Sequence, residues 1–99
     1  MPYSEKSVYA LRTILGDMEV LNEGKSGFMQ ENLLCIDRSL KVFEDLTAHK
    51  PTENHYDHVV NYCRIKMQFA KQQIERGTVE EGVGFAKAVI WYYLRESNL

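Results

Sequence analysis

No apolar run in this chain approaches the roughly 18 to 20 residues that a membrane-crossing helix needs. Its start, MPYSEKSVYA, also lacks a basic end followed by an apolar stretch, so no membrane segment or leader is expected and a cytoplasmic location follows. Proline is confined to Pro2 and Pro51, and no Ser/Gly linker or low-complexity tract divides the chain. No internal repeat with a period of about 20 to 50 residues is present, which argues against a solenoid. The two cysteines, Cys35 and Cys63, have neither CxxC nor paired zinc spacing, which excludes a zinc ribbon and a thioredoxin-like centre. A dominant charge is missing too. With 12 basic and 14 acidic residues the net charge is -2, too balanced for a strong field over the whole surface.

What remains is ordinary for a folded domain: 44% hydrophobic and 26% charged residues in 99. One domain spanning 1–99 is expected, because a second core would be too small to stand alone. Apolar residues recur at alternating spacings of three and four, the period of a helix with one buried face. Val8, Leu11, Leu15, Met18 and Leu21 or Asn22 mark a first helix, about 5–23, with Ser4 as its N-cap and Gly24 as its end. Past the turn GKSG, Met29, Leu33, Ile36, Leu40 and Phe43 mark a second, about 28–47. Lys50-Pro51 breaks that pattern, and Thr52 and Glu53 suit the start of a third helix, about 53–76, with Tyr56, Val60, Cys63, Met67, Ala70 and Ile74 inward. After Gly77, Thr78-Val79-Glu80-Glu81 matches a capping box for a fourth helix, about 79–96, with Val83, Ala86, Ile90 and Tyr93 inward.

The fold class expected is all-α. Short connections favour an up-down-up-down antiparallel four-helix bundle, the alternative being two helical hairpins that complete a core by dimerisation. Counted from the turn near residue 50, Cys35 and Cys63 fall at similar levels of facing helices. They read as buried thiols, since Cys35 is one position off its stripe and a cytosolic disulfide is disfavoured.

All three histidines lie in HKPTENHYDH. His55 and His58, three apart, share a side of the third helix, and His49 lies across the turn, so a metal site is one alternative. The pattern has no HExxH and no Glu-x-x-His pair, so a capped helix start is the preferred reading and no cofactor is expected. In the third helix Arg64, Lys71 and Arg76 form a modest basic face that could follow phosphates, although cations near a helix C-terminus also complement its dipole. The run GVGFAK lacks the preceding strand and the Lys-Ser/Thr ending of a phosphate loop. No nucleophile elbow occurs, so enzymatic function is not expected.

The last helix, GVGFAKAVIWYYLRESNL, is apolar around most of its circumference. Phe85, Val89, Trp91, Tyr92 and Leu94 all fall outside its inward stripe, and aromatic residues of this kind favour interface cores. Gly82 and Gly84 cost about 1 kcal/mol each in a helix relative to alanine, and close approach of a neighbouring helix would offset that. The function expected is a non-enzymatic protein-protein interaction module of the adaptor, chaperone or inhibitor type. Phe85, Val89, Trp91 and Tyr92 are its contact residues, and its partner is another protein or itself as a homodimer.

Overall fold

The computed structural model describes residues 5–23, 28–48 and 55–97, with the side chains of 48 and 55–57 outside that description. Four helices follow one another: α1 (Glu5–Leu21), α2 (Met29–Ala48), α3 (His55–Glu75) and α4 (Val79–Ser97). These bounds lie within two residues of those read from the hydrophobic spacing, the usual uncertainty at a frayed end. Ser4, the GKSG turn, Thr52 and Glu53 lie outside the described residues.

Side-chain pairs fix the directions. Asp17 of α1 and Asn22, just past its end, meet Arg38 and Asn32 of α2, so the two helices are antiparallel. Lys71 of α3 reaches Asp37 of α2, while Phe69 and Tyr62 stack against Phe85 and Tyr92 of α4. Ser7 of α1 shares a 3.0 Å hydrogen bond with Tyr93 Oη of α4. Each helix therefore packs on its chain neighbour and α4 closes back on α1, giving an up-down-up-down bundle. Phe43 and Tyr93, both fully buried, cross the diagonal edge-to-face with centroids 5.6 Å apart. The core is thus completed within one chain, and the hairpins need no second copy to build it.

The inward stripes are the core: Val8, Leu11, Leu15 and Met18 on α1, Ile36, Leu40 and Phe43 on α2, Val60, Cys63, Met67, Ala70 and Ile74 on α3, and Val83, Ala86, Ile90 and Tyr93 on α4. Ile14, Val59 and Val89 join them as a second row, and Met29 and Leu33 are only partly covered.

Three local expectations are corrected. At the α3–α4 turn, Gly77 takes φ 102°, its amide donates to the Ile74 carbonyl, and the Thr78 amide donates to that of Gln73. This is the Schellman arrangement, in which a left-handed glycine lets the last helical carbonyls be satisfied. The Thr78 hydroxyl donates to the same Gln73 carbonyl at 2.7 Å, so it seals the end of α3 where a capping box would have it serve α4. Secondly, close approach explains Gly82 alone. A Cβ there would lie 2.5 Å from Ile74 Cγ1 and 3.0 Å from the Ala70 carbonyl oxygen, whereas one at Gly84 would meet nothing within 4 Å.

Thirdly, the thiols are not level. The Lys71–Asp37 bridge sets Cys35 beside residue 73, ten positions or about 15 Å of helix from Cys63. Cys35 lies near Asp17 and Arg38 towards α1, Cys63 near Glu96 towards α4, and both are free.

Candidate functional site

Helix α3 carries a second stripe besides its core row. Tyr62, Ile65 and Phe69, spaced three and four apart, stand on its outer side at 47%, 55% and 47% exposure. On α4 the matching outer row is Phe85, Ala88 and Tyr92, of which Ala88 is exposed and the two rings are half-buried. The antiparallel register brings the rows together. Tyr62 meets Tyr92 with centroids 5.1 Å apart and Phe69 meets Phe85 at 5.3 Å, both edge-to-face, the arrangement the ring quadrupoles favour. Trp91, 54% exposed, follows Ala88 by three positions and extends the same surface around α4.

The result is one outer face in which two aromatic pairs flank an aliphatic centre of Ile65 and Ala88. Cations edge it: the Lys66 ammonium lies 5.5 Å from the Tyr62 centroid and the Arg95 guanidinium 5.8 Å from that of Tyr92. Burial, followed by the nearby Glu96 carboxylate, raises the Tyr92 phenol above its usual range, so it is a neutral hydrogen-bonding group at physiological pH.

Of the contact residues read from the sequence, Phe85, Trp91 and Tyr92 lie on this face. Val89, only 4% exposed, belongs to the core and offers no surface. Tyr62, Ile65 and Phe69 were not anticipated, although their three-and-four spacing on the polar side of α3 is itself visible in the sequence. The other exposed large apolar side chains among the described residues are Tyr9 and Val20 on α1, Phe28 just before α2 and Leu34 on α2, and no ring pair is formed among them.

The basic residues of α3 are arranged differently from a phosphate-following row. Lys71 is held by Asp37 at 3.0 Å, and that hydrogen bond raises its pKa. It lines a groove of about 460 Å³ between α2 and α3 with Asp37, Lys41, Glu44 and Glu75, three carboxylates against two ammonium groups. Arg64 donates to Asn61 Oδ1 at 3.3 Å on the same side of α3. Arg76, five residues beyond Lys71, is turned by about 140° from that side. As for the histidines, His58 is exposed, while His49 and the side chain of His55 lie outside the described residues. No group of three or more His, Cys, Asp or Glu suited to a metal occurs among the described residues. No helix among them is long and apolar enough to cross a membrane.

Comparison with protein-family models, with curated proteins and with solved structures found no match.

Proposed function

We propose that this chain is a non-enzymatic protein-interaction module whose contact surface is the outer face of α3 and α4. The observation that carries this reading is the clustering of exposed apolar groups, Tyr62, Ile65, Phe69, Ala88 and Trp91, with the half-buried rings of Phe85 and Tyr92 on one side of a bundle whose core is already complete. Scattered exposed apolar residues are normal, but a contiguous patch rimmed by charges is a docking feature. Rigid rings are suited to it because they bury large areas with little loss of side-chain freedom, and the Tyr hydroxyls and the Trp indole N–H supply directional contacts at the rim. The module would act as an adaptor, chaperone or inhibitor, by occupying a surface of its partner.

A photo-crosslinking residue installed at position 65, compared with one at Leu34 on the opposite flank, tests this in the source cells. Ile65 and Leu34 are similarly exposed, at 55% and 64%, so access alone does not separate them. A discrete crosslinked product from position 65 and none from position 34 is the expected result. Equal labelling at both, or none at either, would contradict the assignment of this face.

A further inference from the structure

The α3–α4 face is complementary to itself. On α4 the residues Glu81, Phe85, Ala88, Tyr92 and Arg95 follow spacings of four, three, four and three, so they run along one side of the helix. Ala88 lies midway between the acidic and the basic end, seven residues from each. Glu81 and Arg95 are both exposed, and neither forms an ion pair with another described residue. On α3, Ile65 likewise stands between Tyr62 and Phe69. The pairs Tyr62–Tyr92 and Phe69–Phe85 set the register so that Ile65 and Ala88 occupy the same level of the bundle. A two-fold axis lying in the face and crossing the helices at that level therefore exchanges one aromatic pair with the other and the negative end with the positive end.

Resting on the interaction reading above, we propose that the occupant of this face is a second copy of the chain, docked about that axis. Helix α4 runs antiparallel to its mate, and Glu81 of each copy faces Arg95 of the other. Such an isologous contact makes every favourable pairing twice. The centre is small and aliphatic, Ala88 against Ala88 and Ile65 against Ile65, with rings on either side. Lys66, next to Ile65, holds its ammonium over the Tyr62 ring and so away from the aliphatic centre. Helices of about 20 residues packed about 9 Å apart give a face of roughly 30 Å by 20 Å, on the order of 600 Å² per copy. That is the lower end of what stable interfaces bury, so the dimer is reversible and its population depends on concentration.

Sedimentation velocity of the purified full chain over a concentration series, at low and at raised salt, tests the proposal. Wild type is expected to pass from monomer to dimer with rising concentration, more weakly at high salt. Glu81→Arg alone and Arg95→Glu alone should each weaken dimerisation about tenfold, because both symmetry-related pairs turn from attractive to repulsive. The double variant E81R/R95E should recover to within about threefold of wild type, which only the antiparallel arrangement permits. Both positions are exposed, and circular dichroism of each variant verifies the helices; Ile65→Asp, which leaves α4 untouched, should also give a monomer. A wild type that stays monomeric at all concentrations would overturn the second copy as occupant, and single variants that the double does not rescue would overturn its antiparallel docking. In either case a heterologous crosslink from position 65 would leave the interaction module standing, and no crosslink there would remove both.

Discussion

Gly82 and Gly84 lie two residues apart on α4 and should respond to alanine in opposite senses. At Gly82 the new methyl would meet Ile74 Cγ1 at 2.5 Å and the unyielding Ala70 carbonyl oxygen at 3.0 Å. Overpacking of this kind costs about 1 to 3 kcal/mol. At Gly84 a methyl meets nothing within 4 Å, so Gly84→Ala should raise stability by about 0.5 to 1 kcal/mol through the lost freedom of the unfolded chain. Urea denaturation at dilute concentration, where the monomer dominates, checks both signs. Cys63 gives a prediction in pH. Burial, with a smaller contribution from Glu96, pushes its thiol from 9.0 up to about 12. The folded state holds that proton where the unfolded chain has lost it, so the contribution to stability is complete below pH 9 and declines as pH rises from about 9 towards 12. Stability of Cys63→Ala relative to wild type across that window isolates the effect, and a difference independent of pH would contradict it.

At the scale of elements, the two hairpins are closed by different means. Asn22 and Asn32 exchange amide hydrogen bonds of 2.9 and 3.1 Å at the connected end of α1 and α2, and each also donates to a carbonyl of its own segment, Met18 or Phe28. Asn32 is fully buried. Asn32→Ala should therefore cost about 2 to 3 kcal/mol by stranding buried polar groups, and a double-mutant cycle with Asn22→Ala should show coupling well above 0.5 kcal/mol. The α3–α4 hairpin depends on Gly77, whose φ of 102° makes Gly77→Ala destabilising by about 1 kcal/mol in the same denaturation assay. The helices themselves were legible in the sequence, because the three-and-four spacing is the physical cause of amphipathic packing. Ile14, Val59 and Val89 were missed as core because a helix surrounded by neighbours buries a wider arc than one row. The register between α2 and α3 was not legible, since helical periodicity does not specify how a connection aligns two helices, and so Cys35 and Cys63 were placed too near each other. Half the candidate face went unread for a related reason. Trp91, Tyr92 and Phe85 were conspicuous on α4, but that Tyr62 and Phe69 stack against two of them depends on which side of α3 faces α4.

For the whole molecule, the division of labour is between an inside that is complete and an outside that is uneven. Four helices enclose one core within a single chain, and the buried Ser7–Tyr93 bond and the part-buried Asn22–Asn32 bonds tie α1 to α4 and to α2. The α2–α3 side is a groove of mixed charge, whereas the α3–α4 side is mainly aromatic and aliphatic, with Lys66 and Arg95 over its tyrosine rings. This second side is the proposed contact surface, covered by another copy of the chain. Trp91 is the chain's one tryptophan and stands on that surface at 54% exposure, so its fluorescence reports the face directly. Acrylamide quenching of Trp91, measured from micromolar to millimolar protein, is the most direct test. Covering of the face should lower the quenching constant and shift emission to the blue as concentration rises, and Ile65→Asp should abolish both changes. A quenching constant that stays high and equal in the two proteins across the whole range would contradict the account.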